Sequence, residues 1–317
     1  MATEENQDVY VKKQRKKKAP PEESAGVQMT SLMDIMTILL VFLLGVGAAA
    51  YIYWDLLRIL YHQPQLFREP QLDPQPKLIK DDLGEISILS FSKTNGYRHH
   101  ESIAKSKEFL DGLGRENNWS FFHTEDSGFF LPENLERFAL VFLNHKSGTV
   151  WTKDQRVALR DYLENGGSIF AQHAAGGDNG YDWNWYRDEL IRAQFVDHPM
   201  VNHIQLASLI LEKPSHPVLS GLPQVWRRAD EWYNFAESPR ARTNVLIRID
   251  ESTYDPEKSP MGEDHPMVWW HQVGEGRVLY SALGHTTATY DEPEFKIFIR
   301  NSNALNLLIA HDVLLLS

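Results

Sequence analysis

Residues 138–177 read FALVFLNHKSGTVWTKDQRVALRDYLENGGSIFAQHAAGG. Phe138–Asn144 is a continuous apolar run of strand length, Thr152–Asn165 reads as a helix stopped by Gly166-Gly167, and Ser168–His173 is a second apolar run. Strands that are apolar throughout, and not at alternate positions, are buried on both faces. Separated by a helix, they pair in parallel.

The same alternation extends in both directions. Ile86–Ser92 predicts a buried strand, Glu101–Gly114 a helix and Trp119–His123 a short strand. Downstream, Asp182–Ala193 predicts a helix. Strand-like runs follow at Ile204–Leu211, Asn244–Ile249, Met267–His271 and Arg277–Ala282, and a helix at Pro293–Leu315 closes the chain. The expected fold class is α/β: a parallel sheet with helices on both faces.

Ligands of open α/β sheets bind beyond the carboxyl ends of the strands. Four strand ends carry histidine here: after the first strand at His99 and His100, after Asn144 at His145, at His173, and near Ala282 at His285. Their convergence on one cleft is the expectation. The turn after Gln172 has the strand–turn–helix form of a nucleophile elbow. It offers His173 and neither Ser nor Cys, so acyl transfer through such a nucleophile is not expected there. Histidine suits general acid–base work near neutral pH. Asp230-Glu231-Trp232-Tyr233 sets two carboxylates beside two aromatics, a pattern suited to sugar hydroxyls and sugar faces. His99, His173, His285 and a carboxylate are metal-ligand types, but no close-spaced pair such as H-x₃-H accompanies them. No metal and no cofactor is therefore assigned.

The 317 residues include no cysteine, which excludes disulfides, thiolate nucleophiles and Cys-ligated metal centres. Charge is uneven. Residues 1–80 hold 10 Lys/Arg and 9 Asp/Glu, and residues 81–317 hold 22 and 34, so a body of net charge −12 follows a nearly neutral leader. An acidic body is a poor phosphate-tracking surface, and no nucleic-acid partner is expected.

Ile35–Trp54 is a stretch of 20 residues without a charge. As a helix it spans about 30 Å, the thickness of a bilayer core. Tyr51, Tyr53 and Trp54 crowd its far end, and Lys12, Lys13, Arg15 and Lys16–Lys18 precede it. The positive-inside rule then puts the N-terminus in the cytoplasm and the body outside, with lipid as one partner. A signal peptide cleaved near Ala48–Ala50 would need a charged region of 34 residues before its apolar run. The segment is read as a retained inner-membrane anchor. The expected organisation is a disordered basic tail (1–30), a transmembrane helix (31–57), a Pro- and Gln-rich linker (58–80) and one α/β domain (81–317).

The motifs TNGYRHHES (94–102), GGSIFAQHAAGG (166–177), YDWNWYRDEL (181–190), FVDHP (195–199), HPVLSGLPQVWRRADEWYNF (216–235), VLIRIDESTY (245–254), HPMVWWH (265–271) and GRVLYSALGHT (276–286) occur in this order. Together they resemble the ThuA-like family, named from trehalose utilisation, over about residues 84–313. The resemblance implies a flavodoxin-like sheet of the class I glutamine amidotransferase-like kind and an association with sugar metabolism. Carried onto this sequence, it implies a pocket of Arg98, His99, His173, Asp230, Glu231, Tyr233 and His285. His173 would be the general acid/base with Glu231 or Asp230 as partner. Arg98, His99 and Tyr233 would hold a carbohydrate-like substrate, and His285 would complete the wall.

A second resemblance lies upstream. VQMTSLMDIMTILLVFLL (27–44) looks like the membrane segment of the ExbD/TolR family, proton-driven partners of ExbB/TolQ-type channel proteins. Asp34 matches the ionisable residue of that segment. The small periplasmic domain of that family does not follow. Three readings stand on the sequence: a membrane-anchored protein acting on a carbohydrate, a sugar-binding scaffold without turnover, and an energy-transducing component working through Asp34 with an ExbB/TolQ-like partner.

Overall fold

In residues 138–177, the first strand and the helix that follows each take one predicted form. Leu140–Asn144 (β3) is buried at every position. Lys153–Glu164 (α5) starts at a capping box, in which the Thr152 amide donates to Gln155 Oε1 (2.9 Å) and the Gln155 amide to Thr152 Oγ1 (3.4 Å). Ser168–Gln172 (β4) is again buried throughout and pairs in parallel with β3. The computed structural model describes residues 25–177 and 182–314. The basic block of the tail, Tyr181 of the YDWNWYRDEL motif and Leu315 lie outside the described residues.

The described chain divides into two units, one through Ile59 and one from Leu60. The first contains a helix, Ala25–Ile52 (α1), that begins six residues inside the stretch expected to be disordered. Leu32–Ala49 has a mean hydropathy of 2.3, long and apolar enough to cross a membrane. Apart from Asp34 and Thr37 its side chains are apolar or small on every side. Asp34 is exposed on it. A shorter helix, Trp54–His62 (α2), follows.

The second unit is built on one nine-stranded sheet. Ser87–Phe91 (β1) pairs in parallel with both Ser120–Thr124 (β2) and β3, and Gly276–Ser281 (β11) pairs in parallel with β4. The parallel half therefore runs β2-β1-β3-β4-β11, the flavodoxin-like order. Its crossovers run in opposite directions from the centre: His100–Asn117 (α3) joins β1 to β2, and α5 joins β3 to β4. Right-handed crossovers then put these helices on opposite faces. Pro293–Leu314 (α6) packs beside α3 through Phe109 and Phe295, whose rings lie 6.1 Å apart.

Beyond β11 the sheet turns antiparallel. Pro266–Val273 (β10), Asn244–Asp250 (β9), Gln205–Leu211 (β6) and Val225–Asp230 (β7) extend it in that order. The sheet is thus mixed, with its parallel half where the parallel sheet was expected. The edge strand β7 buries Trp226, Arg228 and Asp230 and exposes the residues between them. That alternation includes two buried charged residues, so it carries no apolar signal in the sequence. The predicted helix over Asp182–Ala193 narrows to one π-turn, Tyr186–Ile191, while Pro132–Leu135 (α4) is a single helical turn and Phe195–Asp197 (β5) pairs antiparallel with Asn234–Phe235 (β8) outside the main sheet.

Residues 63–80 differ from a free linker. Gln63 brackets the Arg98 backbone, accepting from its amide (2.8 Å) and donating to its carbonyl (3.0 Å). Asp73 takes Lys93 Nζ (2.7 Å) and the Ser127 amide (2.9 Å), and Ile79 is buried. Asn134 clasps the strap from both sides, accepting from Ile79 N (3.0 Å) and donating to Lys77 O (2.7 Å). After a helical turn at Pro64–Phe67 the segment forms no helix or strand, and these contacts fasten it to the body although most of its residues stay exposed.

A buried histidine and glutamate cluster

The carboxyl ends of the parallel strands deliver four histidines to one place. His145 follows β3 directly and His173 follows β4 directly, both with positive φ (53° and 49°). Left-handed backbone at a non-glycine residue is costly and persists where the surroundings impose it. Here it turns each imidazole out of the strand line and into the cluster. His99 sits at the N-cap of α3, where Ser, Thr, Asp or Asn would normally cap, and makes no capping bond. His285 follows β11. The ring centroids of His99 lie 4.9 Å from His173, 4.8 Å from His285 and 5.3 Å from His145.

Glu231, just past β7, supplies the charge. Its Oε2 lies 3.0 Å from His285 Nδ1 and 3.4 Å from His173 Nε2, and its Oε1 3.5 Å from His198 Nε2. The group is 4% exposed. Burial opposes its ionisation, but the His173 and His285 imidazoles that face it outweigh burial and hold the carboxyl well below the usual range. Burial likewise works against a charge on His285, and Glu231 overrides it, so the imidazole is raised above its ordinary value. His99 and His145 are fully enclosed, and burial followed by the neighbouring imidazoles pushes both well below theirs, so they are neutral near pH 7.

Tautomers follow from the partners. His173 Nδ1 lies 2.6 Å from the Ala282 carbonyl, which can only accept, so Nδ1 carries the hydrogen and Nε2 presents a lone pair. Onto that lone pair converge the Tyr233 hydroxyl (2.9 Å) and His285 Nδ1 (3.1 Å). His285 Nδ1 faces two acceptors, Glu231 Oε2 and His173 Nε2, and therefore donates. The arrangement can shuttle a proton between a carboxylate and two imidazoles.

The residues proposed from sequence separate into two groups. His99, His173, Glu231, Tyr233 and His285 come together. Asp230 does not join them: it is fully buried, pairs with Arg228 Nη1 (3.0 Å) and accepts from the amides of Gly284 (2.8 Å), His285 (3.0 Å) and Glu231 (3.0 Å). It braces the loop that carries His285. Arg98 turns its guanidinium onto Glu125 in a two-point bond (2.9 and 2.9 Å) and onto Thr94 (3.0 Å). The aromatics beside Glu231 are not open platforms. Trp232 is fully buried with Nε1 on Gln205 O (2.9 Å), and Tyr233 stacks on His173 at 4.3 Å. Gly177 lies under that tyrosine, and a Cβ there would stand 2.2 Å from its ring. His145 was expected at the cleft without a role of its own, and His198 and Tyr97 were not singled out from sequence. Tyr97, 48% exposed, sets its ring 4.9 Å from His99 and is the exposed aromatic at the cluster. It lies within the quoted TNGYRHHES, so position after the first strand was the usable signal.

A wide polar groove elsewhere is lined by Glu212, Arg240, Arg248, Asp250, Glu251 and Asp264. Arg240 is taken up by Glu212 (2.6 Å) and Asp264 (2.8 Å) and Arg248 lies 3.6 Å from Glu212, so the groove reads as a solvated ion-pair surface.

The family model of ThuA, described as trehalose utilisation, matches residues 87–304, more than half of the chain. The chain belongs to the ThuA family. The match begins at β1, so the N-terminal stretch resembling ExbD/TolR lies outside it. Crystal structures of two ThuA-like proteins share the fold. One, from Bacteroides uniformis, is 21% identical with a TM-score of 0.61 and covers 71% of this chain and 92% of its own. The other, from Parabacteroides merdae, is also 21% identical with a TM-score of 0.56, covering 70% and 90%. No curated protein matches the chain. The family match takes in every member of the cluster, from His99 to His285.

Proposed function

We propose that this ThuA-family protein is membrane-anchored and acts on a carbohydrate-like substrate outside the cytoplasm, with the Glu231–His285–His173 group as its reactive centre. The observation that carries the reading is the 3.0 Å contact between Glu231 and His285, buried at the carboxyl edge of the parallel sheet. Such a pair can take a proton from a sugar hydroxyl and return it, and sugar chemistry runs through hydroxyl protons. Tyr233, on His173 Nε2, completes the relay. His285 keeps 18% of its side chain exposed and His198 25%, so the cluster opens on their side. Tyr97 offers a ring on which a sugar face can stack. The family's association with trehalose utilisation supports the substrate class.

The apolar length of α1 supports the anchor, and the basic residues ahead of it support a cytoplasmic N-terminus. Fractionation of cells producing the full chain, followed by protease treatment of intact spheroplasts, tests both. The proposal requires a membrane-bound chain whose body is cleaved from outside.

For the substrate, the full chain in detergent is incubated with a panel of mono- and disaccharides and their oxidised derivatives, and products are read by mass spectrometry. Conversion by the wild type and none by Glu231→Gln supports the reading. Binding without conversion in both would make the protein a sugar-binding module, and neither binding nor conversion would remove the carbohydrate assignment.

A further inference from the structure

We propose that His99, His173, His285 and Glu231 bind one divalent transition-metal ion of the zinc kind. One ligand atom from each of the four lies within 4.8 Å of all the others. Three of them form a tighter triangle, with edges of 3.1 Å (His173 Nε2 to His285 Nδ1), 3.0 Å (His285 Nδ1 to Glu231 Oε2) and 3.4 Å (His173 Nε2 to Glu231 Oε2). Ligands placed about 2.0–2.1 Å from a tetrahedral ion stand about 3.3–3.4 Å apart. The triangle is therefore close to one face of such a coordination sphere, reached without rearranging the backbone.

The surroundings prepare these atoms as ligands. A metal-bound imidazole ordinarily donates its other N–H to a carbonyl or carboxylate, which fixes ring and tautomer. His173 does this through Nδ1 to Ala282 O (2.6 Å). Asp230 fixes the His285 loop through the amides of Gly284 and His285. His99 is buried beside the triangle, and its Nδ1 has no hydrogen-bond partner among the described residues.

Charge points the same way. Buried carboxylates are normally compensated by a cation. The ion-pair partners found for Glu231 among the described residues are three imidazoles, His173, His198 and His285, with no Lys or Arg. Three nitrogens and one carboxylate match first-row transition metals and not calcium or magnesium, which take oxygen.

The assignment shares its centre with the proposed function but does not need the sugar. With an ion bound, a water held on it would be the proton-accepting group of the same centre, and metal binding is read separately from sugar turnover. The untagged full-length protein, stripped with a chelator, is titrated with Co²⁺ while visible absorption and bound metal are measured. The proposal predicts one ion per chain, d–d bands of low coordination number, and displacement by Zn²⁺. Glu231→Gln and His173→Gln should weaken binding by at least about ten- to a hundredfold, as ligand-shell changes do. His99→Asn, at the rim of the triangle, serves if either variant fails to fold by circular dichroism. Failure of the wild type to bind Co²⁺, or binding unchanged in folded variants, overturns it. No sugar is present, so absence of metal leaves the acid–base reading standing, and absence of sugar turnover leaves this one.

Discussion

His285 Nδ1 stands 3.0 Å from Glu231 Oε2, although 54 residues and a return across the sheet separate the two. Asp230 makes that contact possible, because it holds the His285 amide at one end and precedes Glu231 at the other. Adjacent carboxylates thus divide the work, one facing the cluster and one clamping the loop.

That division predicts opposite phenotypes. Asp230→Asn weakens the clamp on the Gly284 and His285 amides and takes one of two carboxylates from buried Arg228, which keeps Glu292 at 3.0 Å. The Gly284 and His285 amides, which donate to Asp230, should lose hydrogen-exchange protection in Asp230→Asn and keep it in Glu231→Gln. Equal losses would contradict the assignment of roles.

Gly177→Ala should reduce activity without touching a reactive group. The added methyl stands 2.2 Å from the Tyr233 ring, so the ring must leave its stack on His173. The check is turnover alongside tyrosine fluorescence or crystallography of the variant. A wild-type rate would show that Tyr233 is not part of the relay.

Stability should fall in mild acid through His271, on β10 and away from the cluster. Burial, then the nearby Arg192 charge, lowers its imidazole to about 4, against an ordinary 6.5. Between these values the unfolded chain binds the extra proton and the folded chain does not. Its contribution is complete above about pH 6.5 and is lost as pH falls toward 4, up to about 3 kcal/mol. Denaturant titrations at pH 7 and pH 4.5 should show a smaller acid loss in His271→Gln than in the wild type.

Gln63→Ala should loosen the strap where it meets the Arg98 backbone, two bonds worth about 1 kcal/mol each at most. Hydrogen exchange at the Arg98 amide should quicken, with little change at β3 or β4. Unchanged protection at Arg98 would mean the strap is not fastened there.

The parallel half of the fold was legible because the apolar residues of β1, β3 and β4 run consecutively and not at alternate positions, as a doubly covered strand requires. The four histidines were legible because each closes or follows such a strand. Three features were not. β7 buries Arg228 and Asp230, whose value as a strand face depends on partners distant in sequence. The segment 63–80 has the composition of a solvated linker, and only the tertiary positions of Lys93, Ser127 and Asn134 make it a bound strap. The separate fates of Asp230 and Glu231 depend on alternation at the end of an edge strand, and adjacent acidic residues look interchangeable until the strand is placed.

The central claim is that the Glu231–His285–His173 group is the working centre of the protein. It is tested most directly by comparing kcat/KM for Glu231→Gln and Arg98→Ala on a sugar that the wild type converts. A loss of roughly a hundredfold or more is expected for Glu231→Gln, in protein that remains folded by circular dichroism, with Arg98→Ala much closer to wild type. Glu231→Gln at the wild-type rate, or Arg98→Ala as the more damaging change, would contradict it.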